Sequence, residues 1–303
     1  MAVPSDRIAL FTSIPPKLVR MVEGLDVGDQ YQLRCMHSWG ELGFPVTSVN
    51  PEPEIELLKA KFPDLNTVAV PGAEHPAISR PLVALNDLLD SALAVGAEVI
   101  LYVNSDIELA GFTGLRSRLE RVTPGHALLG QRMELTTPDS MHGPVCTVGF
   151  DVFAIHRNDL NHLRTNVPLF IGAPWWDYHI VSQLLLHTIK CTYIDPASVR
   201  HLAHSGGWDL SIWQALGVDF GRALLAQVKD LRKTGTSVNV SSFIRGLQEF
   251  SAEVSRKQRP AYKAVVREAL GHARGVFGPN DLHRFANVFM ELVHNDHSVS
   301  DRD

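Results

Sequence analysis

The chain has 303 residues, a net charge of −5 at neutral pH and 45% hydrophobic residues. This length and hydrophobic content suit one large domain, or a large domain with a smaller companion. The slightly acidic charge balance argues against a nucleic-acid-binding surface. The cysteines Cys35, Cys146 and Cys191 are far apart and odd in number, which argues against a disulfide framework and indicates a reducing compartment.

The N-terminal residues lack the basic and apolar regions of a signal peptide. The longest apolar run, residues 92–103, is interrupted by Gly96 and Glu98. A membrane-spanning helix needs about 20 predominantly apolar residues. We therefore expect a cytoplasmic protein without a transmembrane segment, and peripheral contact with a membrane surface stays open. The sequence carries no signature of an oligomeric state.

Strand and helix patterns alternate through the first two-thirds of the chain. Strands are predicted over residues 7–14, 45–50, 66–70, 97–109, 126–135, 146–156 and 190–194. Helices are predicted over residues 31–42, 53–61, 82–95, 112–122 and 176–188. This alternation predicts an α/β fold in which a mostly parallel sheet carries helices on both faces.

The composition changes beyond about residue 210. Convincing strand patterns stop, and four helical patterns follow over residues 213–231, 240–258, 261–277 and 280–294. We therefore expect an α/β domain over residues 1–210 and a helical C-terminal extension over residues 211–303.

The segment from Ala97 to Leu109 is the most informative in the chain. Its apolar run ends at Val103 in polar residues, and on one extended strand Asn104, Asp106 and Glu108 would share a face. Open α/β sheets bind ligands at the carboxyl ends of their strands, where a carboxylate can hold a divalent cation. Residues 104–106 fit equally well a simple turn or helix cap.

Two histidines follow the last predicted strand. A neutral imidazole from His201 or His204 could complete a metal site with Asp106. His204 is the stronger candidate because Gly206 and Gly207, which follow it closely, suggest a sharp bend or a close approach to a ligand. A hydrogen-bonded loop histidine is the alternative for either residue.

Adjacent tryptophans precede the predicted helix at residues 176–188. The rings of Trp175 and Trp176, and that of Trp208, suit the apolar faces of a sugar. Asp177 could act as the general base that takes a proton from an attacking hydroxyl. In the alternative reading, the tryptophans belong to a core and Asp177 is favoured in a first helical turn by the helix dipole.

Three further residues are candidates for contacts with a nucleotide. Arg80 precedes the helix predicted at residues 82–95, where a cation needs an anionic partner such as a diphosphate or Asp106. Thr12 and Ser13 end the first strand, where α/β sheets bind nucleotides. An exposed arginine and a turn before Pro15 are the respective alternatives. The glycine-rich motifs of dinucleotide-binding, P-loop and α/β-hydrolase proteins are absent from the sequence.

In their order and spacing, these segments resemble the GT-A-type nucleotide-sugar glycosyltransferases, more narrowly a bacterial family-2-like group. The resemblance spans residues 7–210 and rests on the segments 11–16, 79–81, 103–107, 174–178 and 201–204. It implies a nucleoside-diphosphate sugar donor and a divalent cation, Mn²⁺ or Mg²⁺. The residues implied to hold the donor are Thr12, Ser13, Arg80, Asn104, Ser105 and Asp106.

The resemblance also implies individual roles. Asp106 matches the last position of the family's Asp-x-Asp element, whereas Asn104 departs from its first position and leaves strict metal dependence open. Asp177 matches the base of inverting members, and His204 matches the histidine that joins the metal. The implied function is sugar transfer with inversion to the hydroxyl of a glycan or lipid-linked acceptor, in the synthesis of surface polysaccharide or glycoconjugates.

Two other functions stay open. A sugar-1-phosphate nucleotidyltransferase uses a related sheet, but residues 13–17 do not match its glycine-rich, arginine-containing loop after the first strand. A non-catalytic module that binds sugar or a partner protein would suit the incomplete Asn104–Asp106 pair and the helical extension.

Overall fold

The computed structural model describes residues 7–146, 149–187 and 189–204, and the single residues or short stretches 208, 212, 215–217, 219–220, 223 and 227. Its strands are β1 (Ile8–Thr12), β2 (Met21–Val22), β3 (Leu25–Asp26), β4 (Val46–Pro51), β5 (Asn66–Val70), β6 (Ala73–His75), β7 (Ile78–Leu82), β8 (Val99–Val103), β9 (Ile107–Leu109), β10 (His126–Gly130), β11 (Met133–Leu135), β12 (Val152–His156), β13 (Lys190–Tyr193) and β14 (Val199–Leu202). Its helices are α1 (Gly28–Glu41), α2 (Glu52–Lys61), α3 (Leu85–Ala94), α4 (Phe112–Leu119) and α5 (Trp176–Leu186).

The chain divides into two compact units. Of the described residues, the first unit contains 7–146, 149–164, 170–172 and 190–204, and therefore all fourteen strands. The second unit contains 165–169, 173–187, 189 and the described residues from 208 onward, and therefore α5. The four helical patterns predicted beyond residue 212 lie almost entirely outside the described residues, so the predicted boundary at residue 210 stays a prediction.

A seven-stranded sheet forms the centre of the first unit. Its strand order is β13-β10-β12-β8-β1-β4-β5, and every neighbouring pair is parallel except the two pairs that β12 makes. All five residues of β1, of β8 and of β12 are buried, as expected of interior strands with apolar sequences. The predicted fold class, α/β with a mostly parallel sheet and helices, is confirmed.

A second, smaller sheet lies in the same unit and consists of β11, β14 and β9 in that order. β14 runs antiparallel to β9 and parallel to β11, so it brings together segments that are far apart in the sequence. In the register, His201 lies opposite Glu134 on one side and Ile107 on the other. We call β9, β11 and β14 the small sheet.

Helix α1 supports the small sheet through side chains on one of its faces. Trp39 donates its indole N–H to the carbonyl of Ile107, and the hydroxyl of Ser38 accepts from the backbone of Leu109. About two turns earlier on the same face, Tyr31 accepts a hydrogen bond from the backbone of Leu202 at 2.8 Å. These contacts satisfy backbone groups at the edge of β9 and the end of β14 that would otherwise be buried without partners.

Two sequence expectations about strands are wrong in detail. The extended strand predicted over residues 97–109 is interrupted, because β8 ends at Val103 and residues 105–106 form a turn before β9. Asn104, Asp106 and Glu108 therefore do not share the face of one strand. The strand predicted over residues 126–135 is two strands, β10 in the large sheet and β11 in the small sheet.

Two hairpins have no counterpart among the predicted elements, namely β2–β3 and β6–β7. The first turns at Glu23 and Gly24, whose φ angles of +50° and +85° suit the tight turns that join two strands. Across the part of the chain that the structure describes, no helix has the length and apolar character that a bilayer crossing requires.

Candidate metal centre

Asp106 lies in the turn that connects the large sheet to the small sheet. Its Oδ2 atom is 2.5 Å from Nη2 of Arg20, 3.2 Å from Nε2 of His201 and 3.7 Å from Nε2 of His204. Arg20 comes from the loop after β1, His201 from β14, and His204 from the residues that follow β14. A single carboxylate oxygen is therefore surrounded by nitrogen atoms from two separate parts of the chain, the loop after β1 and residues 201–204.

His201 connects Asp106 to a second carboxylate. Its Nδ1 atom is 2.7 Å from Oε2 of Glu134, which faces it from the neighbouring strand β11. The imidazole is only 4% exposed, so both of its ring nitrogens are committed to these two contacts. A carboxylate on one ring nitrogen fixes the orientation and tautomer of the ring and leaves the other nitrogen to face a ligand.

A chain of polar contacts continues from Glu134 into the large sheet. Arg132 donates to Glu134 at 2.7 Å and to both oxygens of Asp151 at 3.0 and 3.1 Å. The side-chain amide of Asn104 donates to Asp151 at 2.7 Å, and its oxygen accepts from the hydroxyl of Tyr102. Asn104 thus holds Asp151 through a hydrogen bond that a carboxylate at this position could not donate.

The backbone of Glu134 is enclosed by the segment that follows β11. The N–H of Glu134 donates to the carbonyl of Pro144 at 2.9 Å. At Gly143 an added Cβ would lie 1.8 Å from the carbonyl oxygen of Glu134, a distance that no side chain could adopt. Position 143 must therefore lack a side chain for this segment to pack against β11.

The cluster favours two ionised carboxylates around a protonated imidazole. Burial alone would raise the pKa of Asp106, but the contacts with His201 and His204 and the charge of Arg20 hold it well below its ordinary value. Burial would lower the pKa of His201, whereas its hydrogen bonds to Asp106 and Glu134 raise it to about 9. Burial opposes ionisation of Glu134 as well, but contacts with His201 and Arg132 lower its pKa to about 2.

Asp106, His201 and His204 fit a divalent cation. Each contributes one ligand atom, and these atoms lie within 4.8 Å of one another. Imidazole nitrogens favour transition-metal cations, whereas Mg²⁺ prefers oxygen ligands in near-octahedral geometry. The contact between His201 and Glu134 is the kind of outer contact that metal-binding histidines usually make. The expected divalent cofactor thus has a fitting donor set, which suits Mn²⁺ better than Mg²⁺.

The predicted site residues of the first unit fall into two groups. Asp106 and His204, the predicted metal ligands, lie next to each other, and Ser105 lies in the same turn. Arg80 was expected at a helix N-terminus, but it lies in β7, three residues before Val83, and α3 begins only at Leu85. Its guanidinium is 3.6 Å from Glu54, so the expectation that Asp106 is its partner is wrong.

Thr12 and Ser13 lie at the carboxyl end of β1, next to β8. Thr12 is fully buried, and its hydroxyl has no hydrogen-bond partner among the described residues. Ser13 is half-buried. Their predicted contact with a nucleotide, like that of Arg80, Asn104 and Ser105, stays a prediction.

The remaining predicted residues belong to the second unit. Asp177 lies in the first turn of α5 and is 8% exposed. Trp175 and Trp176 are almost fully buried, and the ring of Trp175 stacks on Phe220 with centroids 5.4 Å apart. Trp208 is half-buried. The burial of the paired tryptophans agrees with the alternative reading as core residues, while the roles of all four residues in catalysis or sugar binding stay predictions.

Sequence reasoning ranked His201 below His204 and missed Arg20, Glu134 and Arg132. No local signal marks Glu134 as a partner of His201, because the two residues are 67 positions apart and meet only through the register of β11 and β14. Arg20 carried a weak signal as a lone cation between the apolar residues Val19 and Met21.

No protein-family model and no curated protein matches the chain. Similar solved structures include the mannosyltransferase PcManGT from Pyrobaculum calidifontis with GDP-Man and Mn²⁺, at 11% identity and a TM-score of 0.43 over 99% of this chain and 90% of that chain. GalNAc-T7 with UDP, GalNAc and Mn²⁺ has 14% identity and a TM-score of 0.41 over 67% and 44% of the two chains. The inositol-1-phosphate CTP transferase from T. maritima has 14% identity and a TM-score of 0.40 over 69% and 94%. None of these likenesses by itself assigns a role to a residue.

Proposed function

We propose that the protein is a metal-dependent glycosyltransferase that moves a sugar from a nucleoside-diphosphate donor to a hydroxyl group. The observation that carries this proposal is the group Asp106, His201 and His204, in which Asp106 closely follows the carboxyl end of the interior strand β8. That edge of an α/β sheet is where ligands bind. A divalent cation held there would neutralise the charge that develops on a departing diphosphate.

The chain's own residues have distinct tasks in this reaction. Asp106, His201 and His204 would hold the cation, and Glu134 keeps Nε2 of His201 turned toward Asp106. Asp177 accepts the proton of the acceptor hydroxyl while the oxygen of that hydroxyl forms a bond to the anomeric carbon. The bond between that carbon and the donor phosphate breaks, and its electron pair leaves with the diphosphate. Attack from the face opposite the phosphate gives inversion.

The test is donor consumption by the purified protein. UDP-, GDP- and TDP-sugars are supplied with and without Mn²⁺, a CMP-sugar with its single phosphate serves as the contrast, and the released nucleotide is measured. We expect Mn²⁺-dependent release with one donor class and its loss on chelation. No release with any donor would favour a non-catalytic module.

The role of Asp177 is tested by Asp177→Asn, which removes the base and keeps the shape of the side chain. General-base catalysis contributes about 10²- to 10⁴-fold, so we expect a loss of that size in transfer, with donor binding retained. Asp64→Asn, an exposed site in the first unit, is the matched control and should keep full activity. Full activity of Asp177→Asn would remove Asp177 from the mechanism.

A sugar-1-phosphate nucleotidyltransferase is the second candidate, and one contact favours it. The loop after β1 does carry an arginine that reaches the site, because Arg20 contacts Asp106 at 2.5 Å. This reaction would release pyrophosphate from a nucleoside triphosphate and a sugar 1-phosphate. Pyrophosphate release from that pair of substrates, without consumption of nucleotide sugars, would decide for it.

A further inference from the structure

Arg20 is the cation closest to the candidate metal centre. Its Nη2 atom contacts Oδ2 of Asp106 at 2.5 Å, the same oxygen that both imidazoles approach. Its side chain is only 11% exposed. The guanidinium is therefore a largely desolvated charge at the edge of the proposed cation site, and no role in substrate binding has been assigned to it so far.

The local fold holds Arg20 in this place. Its backbone N–H donates to the carboxylate of Asp26 at 2.9 Å, and its carbonyl accepts from the N–H of Val27 at 2.8 Å, which closes the base of the β2–β3 hairpin. At Gly28 an added Cβ would lie 1.9 Å from the carbonyl oxygen of Leu18. The segment before Arg20 thus packs directly on the start of α1, and this packing requires glycine at position 28.

The guanidinium still has capacity for another ligand. Its Nη1 atom donates to the carbonyl of Val19, whereas its Nε atom is buried without a hydrogen-bond partner among the described residues. A buried donor without a partner is costly, and a charged donor more so. Arginine presents several N–H groups in a rigid fork that matches the oxygens of carboxylate and phosphate.

Charge balance indicates which ligand would use this capacity. A divalent cation at Asp106 would compete with Arg20 for the same carboxylate oxygen and would also repel the guanidinium. Even against the carboxylates of Asp106, Glu134 and Asp151, a divalent cation together with Arg20 and Arg132 leaves an excess of positive charge, which a diphosphate can neutralise. A diphosphate could bind the cation and the guanidinium together, since it offers several charged oxygens.

We propose that Arg20 binds a phosphate of the diphosphate ligand and that its exchange from Asp106 to this phosphate makes cation and diphosphate binding cooperative. This inference rests on the proposed function, because it takes the same cation site and the same class of ligand. It adds a phosphate-binding residue and a thermodynamic coupling between the two ligands. By linkage, each ligand then strengthens the binding of the other by the same factor.

The coupling is measured with inorganic pyrophosphate and Mn²⁺ by isothermal titration calorimetry. Pyrophosphate is titrated without Mn²⁺ and at saturating Mn²⁺, and the Mn²⁺–pyrophosphate association measured in the same buffer is subtracted. Couplings between ligands typically amount to about 5- to 150-fold, and we expect the native protein to fall in this range. UDP and GDP form a second arm, and tighter binding of either than of pyrophosphate would identify a nucleotide as the source of the diphosphate.

Arg20→Gln is the decisive variant. We expect it to bind Mn²⁺ alone more tightly than the native protein, because a competitor for Asp106 is gone, and to lose the coupling almost completely. Arg20→Lys keeps the positive charge but lacks the planar guanidinium, and we expect it to retain part of the coupling. Partial coupling in this variant would show that the loss in Arg20→Gln does not come from poor folding. Arg121→Gln removes an exposed arginine and should behave like the native protein.

Equal coupling in the native protein and in Arg20→Gln would overturn the inference, and so would an absence of coupling in the native protein. Both results are independent of whether sugar is transferred. A coupling that depends on Arg20 in a protein that consumes no nucleotide sugar would support the inference and refute the proposed function. Sugar transfer without such coupling would support the proposed function and overturn the inference.

Discussion

The large sheet and the small sheet of the first unit are built from different chemistry. Strands β1, β8 and β12 bury all of their residues, and these are almost entirely apolar. The small sheet has strands of three or four residues and carries His201, Glu134 and Glu108, each in contact with an oppositely charged or hydrogen-bonding group. The comparison indicates that the large sheet supplies stability, whereas the small sheet supplies ligand-binding groups.

The largest expected effect concerns the large sheet. Leu101 is fully buried in β8, and Leu101→Ala should lower the free energy of unfolding by about 2–5 kcal/mol through lost burial and a residual cavity. Denaturant unfolding followed by tryptophan fluorescence measures this change. Leu57→Ala, at a site 60% exposed, should change it by less than about 0.5 kcal/mol. A similar loss in both variants would contradict the conclusion that the buried strands of the large sheet supply the stability.

The second effect concerns the turn that joins the sheets. Asp106→Asn removes the only carboxylate of the Asp106, His201 and His204 group. Mn²⁺ affinity measured by electron paramagnetic resonance should fall by about 100-fold or more, because the cation loses its charged ligand. Asp139→Asn, at a carboxylate 98% exposed, should leave the affinity unchanged. Unaltered Mn²⁺ binding in Asp106→Asn would refute the metal centre.

The third effect tests whether Glu134, in the small sheet, orients the imidazole of His201 for metal binding. Loss of a carboxylate behind a metal-binding histidine costs about 10- to 100-fold in metal affinity. Glu134→Ala should show a loss in that range, and Glu134→Gln a smaller one, because its amide oxygen still accepts from Nδ1 of His201. The same Mn²⁺ titration measures both variants. Native affinity in Glu134→Ala would show that His201 needs no partner.

The fourth effect is a pH dependence of Mn²⁺ binding. A cation can bind Nε2 of His201 only after the proton leaves, and the pKa of His201 is raised to about 9. Apparent affinity should therefore rise about tenfold per pH unit from pH 7 to 8 and level off above pH 9, with close to one proton released per cation at pH 7. Calorimetry in buffers of different ionisation enthalpy counts the protons. A flat profile from pH 7 to 9 would contradict this assignment.

The raised pKa of His201 has the opposite effect on the metal-free protein, whose stability falls as the pH rises. Because the folded-state pKa of His201 lies above its ordinary value of about 6.5, protonation of His201 stabilises the fold. This contribution is complete below pH 6.5 and is lost as the pH rises through 9. The lowered pKa of Glu134, about 2, contributes stability above its ordinary value near 4.5 that is lost as the pH falls toward 2.

The smallest effect concerns the helix that supports the small sheet. Tyr31→Phe removes the hydroxyl that accepts from the backbone of Leu202 and should lower the free energy of unfolding by about 1 kcal/mol. Because this contact positions the residue of β14 that follows His201, Mn²⁺ affinity should fall slightly as well. Denaturant unfolding and the Mn²⁺ titration together test this, and an increase in either quantity would contradict the supporting role of α1.

The two sheets also differ in how far the sequence predicts them. Long apolar runs predicted the strands of the large sheet, and β5 was predicted with the bounds it has. The strands of the small sheet are too short and too charged to show a period, and a single turn after Val103 changed the direction of Asp106 and Glu108. Apolar periodicity predicts which residues are buried, but it carries no information about the register between distant short strands.

For the site, the sequence predicted residues whose signal is local and missed those whose partners are distant. Asp106 was found because it follows a strong strand, and His204 because it precedes glycines. Glu134 meets His201 only across a strand pair, and Arg20 reaches Asp106 from 86 positions away. Arg80 was expected at a helix N-terminus because the sequence does not reveal that it belongs to β7, which ends before α3 begins.

The close approach of Gly143 to the backbone of Glu134 has a consequence for how variants of this protein are interpreted. A methyl group at position 143 would meet the carbonyl oxygen of Glu134 at 1.8 Å, so the β11 backbone or the exposed segment beside it would have to move. Such a shift would reach the imidazole of His201 without altering any ligand. An alanine at this exposed position, nine residues from Glu134, should therefore weaken metal binding as a mutation of the centre itself would.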